Sequence, residues 1–537
     1  MKLTKTVALI ITMFLFGGWG VATAKEPSQN TSFQEFCEQQ ANLLADTRIT
    51  VEVLLKQAKT NDCQLAQQKL LNLTRLSLDN SGLSDLRPLS SLTKLEFISL
   101  HNNQIVDITP LQNLTNLKNL SLGNNQITDI APLQKLTNLE SLSLGGNKII
   151  NVSYLSNLKK LTWLNLDRNS IQDISHLSGL QNLTGLDLEK NSIVDIRPLA
   201  NLSKLSRLQL DGNEITDISV LAKLTNLTVV YLGDNKIKNL SYLAKVTNLQ
   251  QLYLQNNQIS NLRPLANLKN LNRLILNFNQ ITDISPLANL NNLDFLSLNF
   301  NQIQDISPLA KLTKLTYLNL EDNYIQDIGD LKNLTSINSL NLEFNQVKDV
   351  SPLAELKKID FLNLQGNQVD IKSVVGLKHI EYLNLTDNQI IDVQPLTALT
   401  NLKRLILNNN KITDIRPLGQ LHNLTELSLD KNLFTDITPL GKLTNLNRLS
   451  LKDHQIMDIS PLETLTKLTW LKLEGNKIKD VSSLVSLTNL KTLNLRFNPI
   501  NNIQTLQKLK TLEEVNIADN QVLHSNCVKI KADFCRF

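Results

Sequence analysis

Residues 95–116 read LEFISLHNNQIVDITPLQNLTN, and residues 117–138 follow without a break as LKNLSLGNNQITDIAPLQKLTN. Both fit one template, L-x-x-L-x-L-x-x-N-x-I-x-D-I-x-P-L-x-x-L-x-x. With Leu95 as position 1, the Asn of position 9 returns once per template length, at Asn103, Asn125, Asn147 and onward to Asn367. One residue is missing after Val369, and the register resumes from Asn388 to Asn520. Ser81 stands in the Asn column of the first unit and His454 in one later unit, which leaves 19 of 21 units with Asn. A period of this length is the signature of stacked supersecondary units rather than of several separate domains.

Each recurring residue has a physical role. Leu at positions 1, 4, 6, 17 and 20 and Ile at 11 and 14 cannot be buried by one unit alone, but stacking makes them a continuous core. The alternation x-L-x-L has strand periodicity, so stacked units are expected to form one parallel sheet along the inner curve. The Asn amide both donates and accepts, which suits it to buried backbone groups along the stack. Asp at position 13 (Asp107, Asp129, Asp283 and others) offers a short acceptor that can cap the next turn. Twelve of the 14 prolines sit at position 16, where a fixed φ and a missing N–H suit a tight outer turn. Only about eight residues return from that turn to the next strand, which favours a 3₁₀ turn over a full helix.

Composition agrees with an ordered, weakly charged chain. Of 537 residues, 42% are hydrophobic and 19% charged, so disorder is excluded. A net charge of +5 is too small for a nucleic-acid surface on a chain this long. Residues 1–24 carry Lys2 and Lys5, the apolar run Val7–Phe16, and Ala22-Thr23-Ala24 before Lys25. That is the pattern of a cleaved secretory leader, with an apolar run too short for a membrane span. A secreted, periplasmic or cell-envelope location is expected, with no membrane span after cleavage, in an oxidising compartment.

The unit resembles the 22-residue leucine-rich repeat of the bacterial internalin family, over roughly Leu73–Asn520. The resemblance implies an α/β leucine-rich repeat solenoid: a curved parallel β-sheet on the concave face, 3₁₀ turns on the convex face, and a helical N-terminal cap. It also implies protein binding on the concave face, without catalysis. The domains expected are a signal peptide at 1–24, a helical cap at 25–72, the repeats at 73–520 and a C-terminal cap at 521–537. Within the first cap, Phe33, Phe36, Leu43, Leu44, Val51–Ala58 and Gln64–Leu71 read as short helices, with Asp62 as an N-cap. Phe33-x₃-Cys37 followed by Asp62-Cys63, and the terminal Cys527 and Cys535, resemble the caps of secreted internalin-like proteins of cyanobacteria. Disulfides Cys37–Cys63 and Cys527–Cys535 are expected, since the other two connectivities would join opposite ends of a long solenoid. No sorting signal, trailing apolar anchor or immunoglobulin-like domain follows the repeats, so surface anchoring and host-cell invasion do not carry over.

Motifs for catalysis are missing from the sequence. The six His have no ligand spacing, and no nucleophile elbow, phosphate loop or dinucleotide fingerprint occurs. No metal and no cofactor are expected. The row of position-13 Asp invites a calcium reading, but a capping row repeats simply because the fold repeats.

The informative residues face outward from the strand, at positions 3, 5, 7 and 8. Thirteen of the 17 aromatics in the repeats fall there. Strand propensity explains an enrichment. It does not explain why nine of the 13 lie in eight consecutive units: Tyr231, Tyr253, Phe278, Phe295, Phe300, Tyr317, Phe344, Phe361 and Tyr382. Mixed charge flanks them, from Asp167 to Asp211 on one side and Arg404 to Asp453 on the other. Aromatic anchors inside a polar rim form the pattern of a protein interface. The expected protein is a monomeric module whose ligand is a protein, with a glycan or envelope polymer as the rival ligand and a purely architectural role as the third reading.

Overall fold

A computed structural model describes residues 31–521. The leader read at 1–24 and the expected Cys527–Cys535 pair lie outside the described residues. The chain divides into two compact units, Met1–Ser143 and Leu144–Phe537.

The first unit begins with three helices, α1 (Phe33–Glu38), α2 (Ala45–Ala58) and α3 (Cys63–Leu70). Ser32 and Glu35 form a capping box that starts α1, and the Asp62 carboxylate accepts from the Leu65 N–H at 2.8 Å to start α3. Phe33 and Phe36 are fully buried, and Cys37 is joined to Cys63. The disulfide ties α1 to α3, as expected. Hydroxyls of α2 reach the first repeat, where Thr47 donates to the Asp85 carboxylate at 2.7 Å and Thr50 to its carbonyl at 2.6 Å. Burial pushes the Asp85 carboxyl up, but hydrogen bonds from Arg87 and Thr47 outweigh it and hold the group below its ordinary value. Four short strands follow, Arg75–Ser77, Phe97–Ser99, Asn119–Ser121 and Ser141–Ser143. They are parallel and share one register, in which Arg75, Phe97, Asn119 and Ser141 stand side by side.

The second unit carries seventeen more strands of the same length, from Trp163–Asn165 to Glu514–Asn516, each parallel to the next. Strand and 3₁₀ turn alternate throughout, so the short-turn expectation holds. Twelve turns carry Pro at their start, and each position-13 Asp accepts from the N–H two residues on, as Asp283 does from Ser285 at 2.8 Å. The Leu and Ile columns are 0–2% exposed along most of the stack, including Leu296, Leu298, Ile303, Ile306 and Leu309. These columns form the solenoid core that one unit could not build alone.

The Asn column works as the sequence suggests. Asn301, 7% exposed, donates through Nδ2 to the carbonyls of Leu276 (3.0 Å), Leu298 (2.9 Å) and Asn299 (3.3 Å). Its Oδ1 accepts from the Ile281 N–H at 3.1 Å. One amide thus satisfies backbone groups of two successive units. The short unit costs the sheet nothing. Phe361 pairs with Tyr382 across the deletion, and Asp370 accepts from the Lys372 N–H to start the turn that follows.

Position 8 holds a feature that the sequence reading passed over. In all 21 units the residue just before the ladder position has positive φ. Asn, Asp and Gly dominate, as sterics require. Phe278 (φ 55°), Phe300 (56°), Phe344 (48°) and Phe497 (54°) adopt the same left-handed backbone. The stack imposes it, because position-8 N–H groups donate to carbonyls of the next unit, as Phe300 does to Glu321 at 2.9 Å.

Candidate functional site

All nine aromatic residues singled out in the sequence lie in the second unit, on the side where the strands present their outward residues. They fall into two classes. Phe295, Tyr317, Phe361 and Tyr382 open their strands, while Tyr231 and Tyr253 close theirs. Phe278, Phe300 and Phe344 sit instead in the left-handed turn that follows the strand. This corrects the sequence reading, which treated positions 3, 5, 7 and 8 as one strand surface. Strand propensity applies to the first six residues and has no bearing on the last three.

Eight of the nine are paired. Ring centroids stand 4.1 Å apart in Tyr231–Tyr253, 4.3 Å in Phe278–Phe300, 4.2 Å in Phe295–Tyr317 and 4.3 Å in Phe361–Tyr382. Interplanar angles are 10° or less. These spacings approach the ~4.8 Å step between strands, so the rings stand on edge, stacked along the solenoid. Phe344 has no aromatic partner among the described residues. Its ring lies over Gly366, where an added Cβ would meet Phe344 Cδ1 at 2.3 Å. Phe278 and Phe344 are 48% and 46% exposed, a large apolar area left in water at a strained backbone position.

Guanidinium groups close one end of three of the four stacks, and the sequence reading missed them. Arg207 lies over Tyr231 (4.9 Å), Arg273 over Phe295 (4.2 Å) and Arg404 over Tyr382 (5.0 Å). The signal was available, since Arg273 and Phe295 occupy position 3 of successive units. Arg404 is backed by Glu426 at 2.7 Å, and Arg448 lies over Trp470 at 4.3 Å, so charge and aromatic alternate beyond the cluster.

Between the position-3 and position-8 columns runs a floor of amides and carboxylates. Asn341 Nδ2 donates to Glu321 at 3.1 Å and Asn363 Nδ2 to Glu343 at 2.7 Å. Burial raises the Glu343 carboxyl above its ordinary value, with the Asn363 bond opposing. Gln255 Oε1 and Asn277 Oδ1 are buried without a hydrogen-bond partner. Ahead of the aromatic cluster, burial pushes Asp187 and Asp211 up to about 6, although backbone N–H groups of Glu189 and Gly233 bond them. Among the described residues no three His, Cys, Asp or Glu side chains converge on a metal-sized site, and no helix is long and apolar enough to cross a membrane.

The model for "Leucine Rich repeats (2 copies)" matches residues 71–113, 115–159, 203–245, 247–289, 291–333, 378–420, 400–442, 422–464 and 466–508. A second leucine-rich repeat model matches 159–215. No curated protein matches. Among solved structures, an internalin (InlF) of Listeria monocytogenes is 37% identical over 58% of this chain and 94% of its own, with a TM-score of 0.57. A leucine-rich repeat protein of Leptospira interrogans is 22% identical over 80% of this chain and 98% of its own, with a TM-score of 0.51. The plant peptide hormone receptor RGFR1, solved with RGF2, is 20% identical over 84% of this chain and 87% of its own, with a TM-score of 0.59. The last two likenesses are of fold alone.

Proposed function

The chain belongs to the leucine-rich repeat family, and on that premise we propose that it is an exported recognition module that binds a protein partner, without catalysis, on the strand face between Tyr231 and Tyr382. The observation that carries this reading is the set Phe278, Phe300 and Phe344. A bulky residue in the left-handed region costs roughly 1–2 kcal/mol relative to an ordinary backbone. Two of the three also leave nearly half their surface in water. Strand propensity gains nothing from this arrangement, and the one ring stack it makes, Phe278 on Phe300, is worth about 0.5–1.5 kcal/mol against two such backbone costs, whereas a ligand that buries the rings gains from it.

Ring orientation favours protein over glycan. Sugar rings stack on exposed aromatic faces, but here each of eight rings gives one face to a neighbouring ring, and the stacks stand across the strand surface rather than flat on it. Edges over a floor of amides and carboxylates suit side chains and peptide groups. Export is supported by the leader-like segment 1–24 and by the Cys37–Cys63 disulfide.

The test is affinity capture. Residues 25–537 and their Phe300/Tyr317/Phe344→Ser variant are immobilised side by side and exposed to envelope and culture extracts. The reading expects a protein held by the first and lost by the second, with soluble glycans failing to displace it. A polysaccharide held in its place supports the glycan reading. Equal retention by both baits refutes the aromatic footprint.

A further inference from the structure

The position-3 column in the middle of the footprint is a ladder with one missing plank. In stacking order it reads Arg273, Phe295, Tyr317, Ser339, Phe361, Tyr382, Arg404. Each residue but one presents a planar group. Arg273 lies on Phe295, which stacks on Tyr317; Arg404 lies on Tyr382, which stacks on Phe361. Ser339 interrupts the series between the two pairs. Two strand steps of about 4.8 Å put the Tyr317 and Phe361 rings about 9.6 Å apart. A flat group between them would lie about 4.8 Å from each ring, within the 4.1–5.0 Å that separates guanidinium from ring elsewhere in this chain. The inner faces of Tyr317 and Phe361 are the two faces in this ladder that no neighbouring plank covers.

Charge decides what fits. From Phe295 to Asp387, the outward positions 3, 5, 7 and 8 carry Glu321, Asp322, Glu343 and Asp387 and no Lys or Arg, although the chain as a whole is net positive. Glu321 reaches the slot's own strand, since its carboxylate accepts from Asn341, two residues after Ser339. Arg404 shows the same chemistry made internally, a guanidinium over the Tyr382 ring with Glu426 at 2.7 Å. We propose that the slot at Ser339 receives an arginine side chain of the partner, its guanidinium between Tyr317 and Phe361 and paired with Glu321 and Glu343. The inference rests on the strand-face reading and names the partner's anchor chemistry: a basic segment led by Arg. Lys lacks the planar fork and stacks less well.

Labelled hexa-arginine is the probe, with hexa-lysine and hexa-glutamate beside it, read by fluorescence anisotropy at physiological salt. The wild-type chain is expected to bind hexa-arginine tightest. Ser339→Phe fills the slot and should weaken that binding about tenfold, the loss of one desolvated cation–π site with its ion pair. Glu321→Gln with Glu343→Gln should do the same, while Tyr242→Ser, on a 3₁₀ turn, should change nothing. Ser339→Arg is a second filling variant, which should fold with its own guanidinium in place and lose the probe. An unchanged thermal midpoint identifies the lost binding as slot loss rather than unfolding. Equal binding of hexa-arginine and hexa-lysine, no binding of hexa-arginine to wild type, or undiminished binding to Ser339→Phe each overturns the proposal. A captured partner kept by Ser339→Phe but lost by Phe300/Tyr317/Phe344→Ser removes the slot and leaves the recognition reading standing.

Discussion

Replacing His454 by Asn should stabilise the protein, and more so in acid. Neighbouring Asn432 makes four ladder contacts: Nδ2 to the carbonyls of Leu407 (2.9 Å), Leu429 (2.8 Å) and Asp430 (3.3 Å), and Oδ1 from the Ile412 N–H (3.1 Å). His454 is as buried, at 6% exposed, but makes one, from Nε2 to the Leu429 carbonyl at 2.9 Å. Its Nδ1 is buried without a partner. An Asn there restores bonds to the Leu451 and Lys452 carbonyls and an acceptor for the Phe434 N–H, each worth about 0.5–1.5 kcal/mol net. Against this stands the lost contact with the Phe434 ring, 4.4 Å away, at about 0.5–1.5 kcal/mol. The balance is a gain of about 2 kcal/mol. Burial also holds the His454 pKa below its ordinary value, so the unfolded chain takes up a proton near pH 6.5 that the folded chain refuses. Wild-type stability therefore drops as pH falls through that value, and the variant escapes this loss. Urea midpoints at pH 8 and pH 5 test both parts, because other titrating groups cancel in the difference. A destabilised variant at pH 8, or a gain that is the same at both pH values, refutes the reasoning.

Gly366→Ala places a Cβ against the Phe344 ring at a backbone φ of +67°; it should cost about 1–2 kcal/mol in thermal stability and weaken partner binding by displacing that ring. Asp187→Asn should leave stability unchanged near pH 4 and raise it by about 1–3 kcal/mol at pH 8. The folded carboxyl titrates near 6, above its unfolded value, so wild-type stability is present in acid and lost as pH rises through 6. Reducing Cys37–Cys63 opens a link across 26 residues; about 3 kcal/mol should be lost in the chain-entropy account, and limited proteolysis should cut first within α1 to α3.

What the sequence revealed follows from repetition. A residue that returns once per unit does the same job each time, so the Asn ladder and the position-13 caps could be read from one unit and are found in nearly all, and the proline turns in twelve. The choice of 3₁₀ turn over helix was a matter of chain length, which sequence counts directly. The left-handed backbone at position 8 was written in the same column, in Asn80, Asn102, Gly146, Asp234 and Gly366. It was masked where it mattered, because Phe278, Phe300 and Phe344 are not residues that announce positive φ. The seat of Phe344 on Gly366 and the Arg273–Phe295 and Arg404–Tyr382 contacts needed side-chain direction, which periodicity alone does not supply. Nor does a single letter say that Asp187 is 7% exposed while Asp195 lies on the surface.

The central claim is that three phenylalanines occupy strained backbone positions, two of them half in water, for the sake of a partner. One measurement reaches it directly: the variant Phe278/Phe300/Phe344→Asn, compared with wild type for thermal midpoint and partner retention in parallel. Asn is the residue that the same column uses at Asn256 and Asn409. The account predicts a midpoint equal to or above wild type, as backbone strain is relieved, together with loss of the retained protein. Undiminished retention by a folded variant would contradict it.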